Sequence, residues 1–121
     1  MSRAEEELWI ALVAQANVPR PERQHRFHHE RKWAFDFAWP GTAPRACAEL
    51  VAVEMEGGVH RIRDRFERDV DKYNWAQLLG WVVLRVTPEM VRDGRAVALI
   101  CRALGVEEGL RDSISAEELR S

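Results

Sequence analysis

The sequence predicts a single α/β domain whose elements run α-β-β-β-α-β-α. Three observations carry that prediction. An N-terminal stretch repeats apolar residues at helical spacing; two short apolar runs, 33–39 and 48–56, follow it; and a helix–strand–helix series is then punctuated by Gly80, Gly94 and Gly105. At 121 residues the chain is long enough for one core and too short for two, so residues 1–121 are read as one domain.

In chain order, Ser2 is placed to cap a helix over about 4–16, with Glu5, Glu6 and Glu7 favoured by the positive end of its dipole. Leu8/Trp9, Leu12, Val13 and Ala16 form its inward stripe. Pro19 and Pro21 end it. A first strand is expected over 24–28 and a second over 33–39, closed by the turn pair Pro40-Gly41. The run 48–56 is almost continuously apolar, the mark of a central strand covered on both faces. Residues 59–67 are charged without a period and read as a loop. A helix over about 67–79 follows, facing the sheet through Phe66/Val70, Tyr73/Asn74 and Gln77/Leu78. Trp81 to Val86 is β-branched and apolar, a fourth strand. Thr87-Pro88 caps and opens a short helix, broken by Gly94; Arg95 to Leu104 is another, stopped by Gly105. The tail from 106 to 121 is polar, and Ser115-Ala116-Glu117-Glu118 has the pattern of a capping box for a last short helix.

Two acids stand out of this frame. Asp36 sits between Phe35 and Phe37, and Glu54 follows Val51-Ala52-Val53. Neighbouring strands would bring them together, and two carboxylates side by side suffer desolvation and mutual repulsion unless a cation neutralises them. Hard divalent ions such as Mg²⁺ take oxygen ligands of this kind. The alternative is that both acids lie on a solvated strand face.

At these residues the sequence resembles the PD-(D/E)XK, or restriction-endonuclease-like, nuclease superfamily, marked by an acid ending one strand and an acid-any-lysine triplet on the next. Asp36 matches the first acid and Glu54 the second, while Glu56 stands where the lysine belongs. The string Glu54-Met55-Glu56-Gly57-Gly58-Val59-His60 is similar to variants in the very-short-patch-repair-like and phage-type branches, and the small size is similar to archaeal-type Holliday junction resolvases. The resemblance implies a central mixed four-stranded sheet flanked by helices, and a metal-dependent endonuclease hydrolysing DNA phosphodiester bonds. Mg²⁺ is the implied cofactor, with Mn²⁺ substituting. A four-way junction is the implied substrate; the alternatives are a mismatch- or site-specific nicking or restriction-like endonuclease, or a non-catalytic DNA-binding relative of the same fold.

Candidate roles follow. Asp36, Glu54 and, from the first helix, Glu5 would hold the metal. Glu56 is a further ligand or water-orienting base, expected to reach the site only through a twist at the strand's end. Lys72, one of two lysines, is the candidate for the missing cation, since enzymes of this superfamily sometimes carry it on the following helix. Tyr73 and Gln77 are similar to helix positions of the family. His60, Arg61, Arg63, Arg65 and Arg68 are the candidate DNA-binding residues, because arginine grips phosphate bidentately.

The total charge of −2 does not exclude nucleic acid, because the basic residues are clustered. With 46% apolar and 31% charged residues the composition is that of an ordinary globular domain. No apolar run approaches a membrane span and no leader pattern opens the chain, so a cytoplasmic location is expected. Cys47 and Cys101 sit among apolar residues as reduced core thiols. Because resolution of a junction needs two cuts, a homodimer is expected, with Val97, Ile100, Cys101, Leu104 and exposed tryptophans as candidate interface residues.

Overall fold

The computed structural model describes residues 2–41, 50–56 and 63–120, apart from the side chains of 63–68. The expected α/β order is present. α1 (Arg3–Val13) leads to β1 (Glu22–Arg26), β2 (Ala34–Trp39) and β3 (Leu50–Met55), then α2 (Arg63–Leu78), β4 (Trp81–Val86), α3 (Pro88–Arg92), α4 (Arg95–Leu104) and α5 (Ala116–Arg120). The sheet is mixed, in the order β1-β2-β3-β4, with β1/β2 and β2/β3 antiparallel and β3/β4 parallel.

Helices cover both faces. On one, Leu8, Trp9 and Leu12 of α1 and Ile100 and Leu104 of α4 pack on Phe37, Trp39, Val51 and Val53. On the other, Ala76 of α2 packs with Phe35, Ala38, Ala52 and Trp81. β3 alternates regularly between these cores, Val51 and Val53 to one and Ala52 to the other, as period two requires. β2 does not. Phe35 and Phe37 are both fully buried, yet they enter opposite cores. The alternation inverts between them, at Asp36. Across the β1/β2 ladder Arg23 pairs with Phe37 and His25 with Phe35, while Gln24, between them, has φ +52°. A left-handed residue inside a strand turns the backbone, and the two facing strands are irregular at the same level.

The helix signals act as expected at several ends. Ser2 Oγ accepts from Glu5 N at 3.1 Å, Thr87 Oγ1 accepts from Met90 N at 3.2 Å, and Gly105 takes φ +72° behind α4. The capping box is reciprocal: Glu118 N donates to Ser115 Oγ and Ser115 N to Glu118 Oε1, each at 3.1 Å. α1 stops at Val13 rather than near residue 16, because the tail takes its last groups: Arg111 N donates to Ala14 O and Ala16 N to Gly109 O. Trp9 Nε1 donates to Leu119 O at 2.9 Å, pinning α5 to α1.

Four further expectations change. β1 lies two residues earlier than 24–28. α2 begins at Arg63, so the charged segment read as a loop is helical from there; arginine and glutamate are good helix formers even without an apolar period. The face of α2 is also turned. Asp69, Lys72, Tyr73 and Ala76, at i, i+3, i+4 and i+7, look inward, while Val70 and Leu78 are exposed. The charged stripe goes in because Glu54 awaits it. Finally, Val97, Ile100, Cys101 and Leu104 are buried, as are Trp39 and Trp81, so none of them offers an interface. Burial pushes the Cys101 thiol up, in keeping with a core role.

Candidate active site

The site lies at the level where β2 and β3 stop pairing. Their ladder runs from Trp39↔Val51 to Phe37↔Val53, and the next residues in register are Asp36 and Glu54. There the side chains replace the ladder. Asp36 N donates to Glu54 Oε2 at 3.0 Å, and Met55 N donates to Asp36 Oδ2 at 2.8 Å. Gln24 Nε2 donates to Asp36 Oδ1 at 3.4 Å. Each acid thus satisfies an amide of the other's strand or neighbouring residue, and the pair holds the fork in shape.

α2 closes the site on the face of the sheet where Ala76 packs. Lys72 Nζ is 2.5 Å from Glu54 Oε1 and donates to Ala34 O at 2.9 Å. Tyr73 Oη lies 3.3 Å from both Glu54 Oε1 and Glu56 Oε2. Glu56 also accepts from Arg85 Nε at 3.0 Å, and the Arg85 guanidinium sits 4.7 Å from the Tyr73 ring centre. Glu56 needs no twist of the strand to reach the site. Two residues on from Glu54, it shares its face by ordinary alternation.

Together these groups line a cavity of about 250 Å³ bounded by Glu5, Asp36, Glu54, Glu56, Asp69, Lys72 and Tyr73, with Ala34 and Met55. Glu5 separates itself from its neighbours in α1: Glu6 pairs with Arg23 and Glu7 with Arg3 and Arg92, while Glu5 turns to the cavity. Its Oε2 is buried without a hydrogen-bond partner.

The electrostatics record the crowding. Burial raises the pKa of Glu54 above the usual carboxylate range, and Lys72 offsets only part of this. Glu5 is raised by burial and then by the charge of Asp36. Burial and the charges of Glu54 and Glu56 push the Tyr73 phenol far upward, so it stays a hydrogen-bond donor. The bond to Glu56 raises Arg85 and keeps it charged.

No family model, no curated protein and no solved structure matches this chain.

Of the residues singled out in the sequence, Glu5, Asp36, Glu54, Glu56 and Lys72 come together around one cavity. His60 and Arg61 lie outside the described residues; Arg63, Arg65 and Arg68 belong to the first turns of α2, and their side chains are outside the description too. Gln24, Asp69 and Arg85 escaped the sequence reading. Asp69 was within reach of it, three residues before Lys72 on the same helix face. Arg85 follows only from the parallel register that sets it beside Glu54, and Gln24 carries no sequence signal at all.

Five carboxylates against one ammonium in one cavity suit a hard divalent cation in kind, since such ions bind oxygen donors. Among the described residues no three such donors stand grouped closely enough to hold a metal ion as they are. The reason is visible: Asp36 and Glu54 spend their oxygens on amides, Lys72 and Tyr73. Each carboxylate oxygen has a second lone pair, and the spare oxygen of Glu5 is uncommitted.

Proposed function

We propose that this protein is a divalent-metal-dependent DNA endonuclease that hydrolyses phosphodiester bonds, with branched DNA of the Holliday-junction type as its substrate. The observation that carries the reading is the meeting of Lys72 with Glu54 beside Asp36 in an acid-lined cavity. An acid pair at a strand fork with an adjoining lysine is the constellation the resemblance implies, with the lysine supplied by α2 in place of Glu56.

Asp36, Glu54 and Glu5 are the residues that would hold Mg²⁺ or Mn²⁺. When bound, the ion supplies charge neutralisation at the phosphate and acidifies water. Lys72 is a fixed positive group at the cavity wall, suited to the charge that builds on a phosphoryl oxygen in the transition state. Tyr73, held protonated, orients Glu54 and Glu56 through one hydroxyl. Glu56, tethered by Arg85, is placed to orient water. No helix of the described chain is long and apolar enough to cross a membrane.

A resolvase must present two such sites related by a two-fold axis, so a homodimer belongs to this reading. Cleavage of linear, mismatched and four-way DNA with and without Mg²⁺, with the mass followed by light scattering, tests it. Metal-dependent cuts favouring the four-way substrate by a dimer are expected. A monomer nicking linear DNA equally well would replace the junction reading with the nicking one, and no cleavage of any DNA in Mg²⁺ or Mn²⁺ would overturn both.

A further inference from the structure

We propose that the β1–β2 loop and the facing turn of α2 form a stacking platform for an unpaired nucleobase of the DNA strand that enters the carboxylate cavity. The inference rests on the nuclease reading for the identity of the polymer, and on separate residues for the platform.

The rings are continuous from the core outward. Phe27 stacks on buried Phe35 at 4.1 Å and 8°, and lies 6.1 Å from Trp33. His28 meets Trp33 edge-on at 5.3 Å, Trp75 edge-on at 5.1 Å, and stacks with His29 at 4.8 Å. The loop is held in place by its own side chain: Glu30 N and Arg31 N donate to His28 Nδ1 at 3.1 and 3.0 Å. The His28 ring is thus fixed as an acceptor at Nδ1.

The outer members are not core. Trp75 is 39% exposed and the His29 side chain 80% exposed. A tryptophan left this open on a preordered aromatic base has a free surface for a flat ring. Cations bracket the β1–β2 loop. Arg31 lies 4.6 Å from the Trp33 ring centre while pairing with Asp71 at 3.3 Å, and the exposed Arg26 and Lys32 have no partner among the described residues. Exposed Leu78 and Leu79 adjoin Trp75, but an apolar protein partner covering this patch would have to dehydrate these cations. A polyanion carrying aromatic bases suits both features at once.

The platform also adjoins the cavity. Trp75 is three residues from Lys72, about 4.5 Å along the helix. Trp33 precedes Ala34, whose carbonyl accepts from Lys72 Nζ. A strand whose phosphate sits at Lys72 brings a neighbouring base within reach of Trp75. A paired base, stacked within a duplex, cannot take that place without being unstacked. The platform therefore selects DNA with an unpaired nucleotide next to the cut.

The test uses the full chain and a DNA duplex carrying one unpaired 2-aminopurine, a fluorescent adenine analogue, in chelator so that binding is read without cleavage. Wild type is expected to quench the fluorophore. Trp75→Ala should abolish the quench and weaken binding by about fivefold to 150-fold, the range that stacking of one base supports. Trp75→Phe should keep both, and binding to the fully paired duplex should change little in either variant. Thermal melts and light scattering accompany each variant. Wild-type quench and affinity in Trp75→Ala would overturn the platform. So would equal losses on paired and unpaired DNA, or a loss of dimer mass, which would assign the patch to a second copy. Cleavage of the same DNA in Mg²⁺ separates this from the underlying reading. Quench without cleavage rejects the nuclease and leaves the platform standing, whereas cleavage with no effect of Trp75→Ala rejects the platform alone.

Discussion

The Nζ of Lys72 lies 2.5 Å from Oε1 of Glu54, and the two side chains are 13% and 9% exposed. This ion pair joins α2 to β3 across the edge of a core. Two buried opposite charges hold each other at a desolvation cost, and removing one strands the other. Lys72→Met is therefore expected to lose about 3–5 kcal/mol at neutral pH, and less as the pH falls and Glu54 takes up a proton. Glu54→Gln should lose stability as well, because the amide offers one acceptor oxygen where Lys72 Nζ and Asp36 N, both donors, each need one. Urea melts of both variants across the acid range check this.

Asp36→Asn and Glu54→Gln should each abolish metal-dependent cleavage. In Asp36→Asn the side-chain oxygen still accepts from Met55 N, so stability should stay within about 1 kcal/mol of wild type. Lys72→Ala should lower turnover by about a hundredfold or more with a much smaller change in DNA affinity, the pattern of a group that acts in the transition state. A Lys72→Ala enzyme with normal turnover and weakened binding would make Lys72 a phosphate-binding residue only.

The raised pKa values of Glu54 and Glu5 set the sign of a pH effect. Groups raised on folding add stability that is complete below their unfolded value and is lost as the pH rises through the folded one. Stability should therefore fall as the pH climbs from 4.5 through the raised values, and Glu54→Gln and Glu5→Gln should each flatten that fall. In the same interval Mg²⁺ must displace protons. Calorimetry in buffers of different ionisation enthalpy should detect that proton release.

DNA affinity should fall steeply with salt despite a net charge of −2. Replacing Arg61, Arg63, Arg65 or Arg68 with alanine should reduce the slope of log affinity against log salt by roughly one for each phosphate no longer neutralised. Unchanged slopes in all four would remove them from the interface.

Gln24 at φ +52° is strained for any residue but glycine. Gln24→Gly and Gln24→Ala both delete the bond to Asp36, so the difference between them isolates the backbone. Gln24→Gly should be the more stable by about 1–2 kcal/mol, read from melting curves.

Much of this was legible beforehand, and the boundary is physical. β4 and α4 fall where β-branched runs, Thr87-Pro88 and Gly105 put them. The acids showed because Asp36 and Glu54 break apolar runs, and Lys72 because lysine is rare here. The facing of α2 did not show: its apolar residues point out, and what turns it is a carboxylate on another element. The buried state of Val97 and Ile100 depends on which surfaces α1 and the sheet offer, which no local pattern states. Gln24 is an unremarkable polar residue until Asp36 lies opposite it.

The inverted alternation of β2 has one more consequence. Phe35 anchors one core and Phe37 the other, and Asp36 belongs to neither. A change at that position leaves both sets of packed side chains where they are. Position 36 is thereby uncoupled from the packing of either core, and a library randomised there should sort by whether the new side chain can still accept from Met55 N, as Asp36 Oδ2 does.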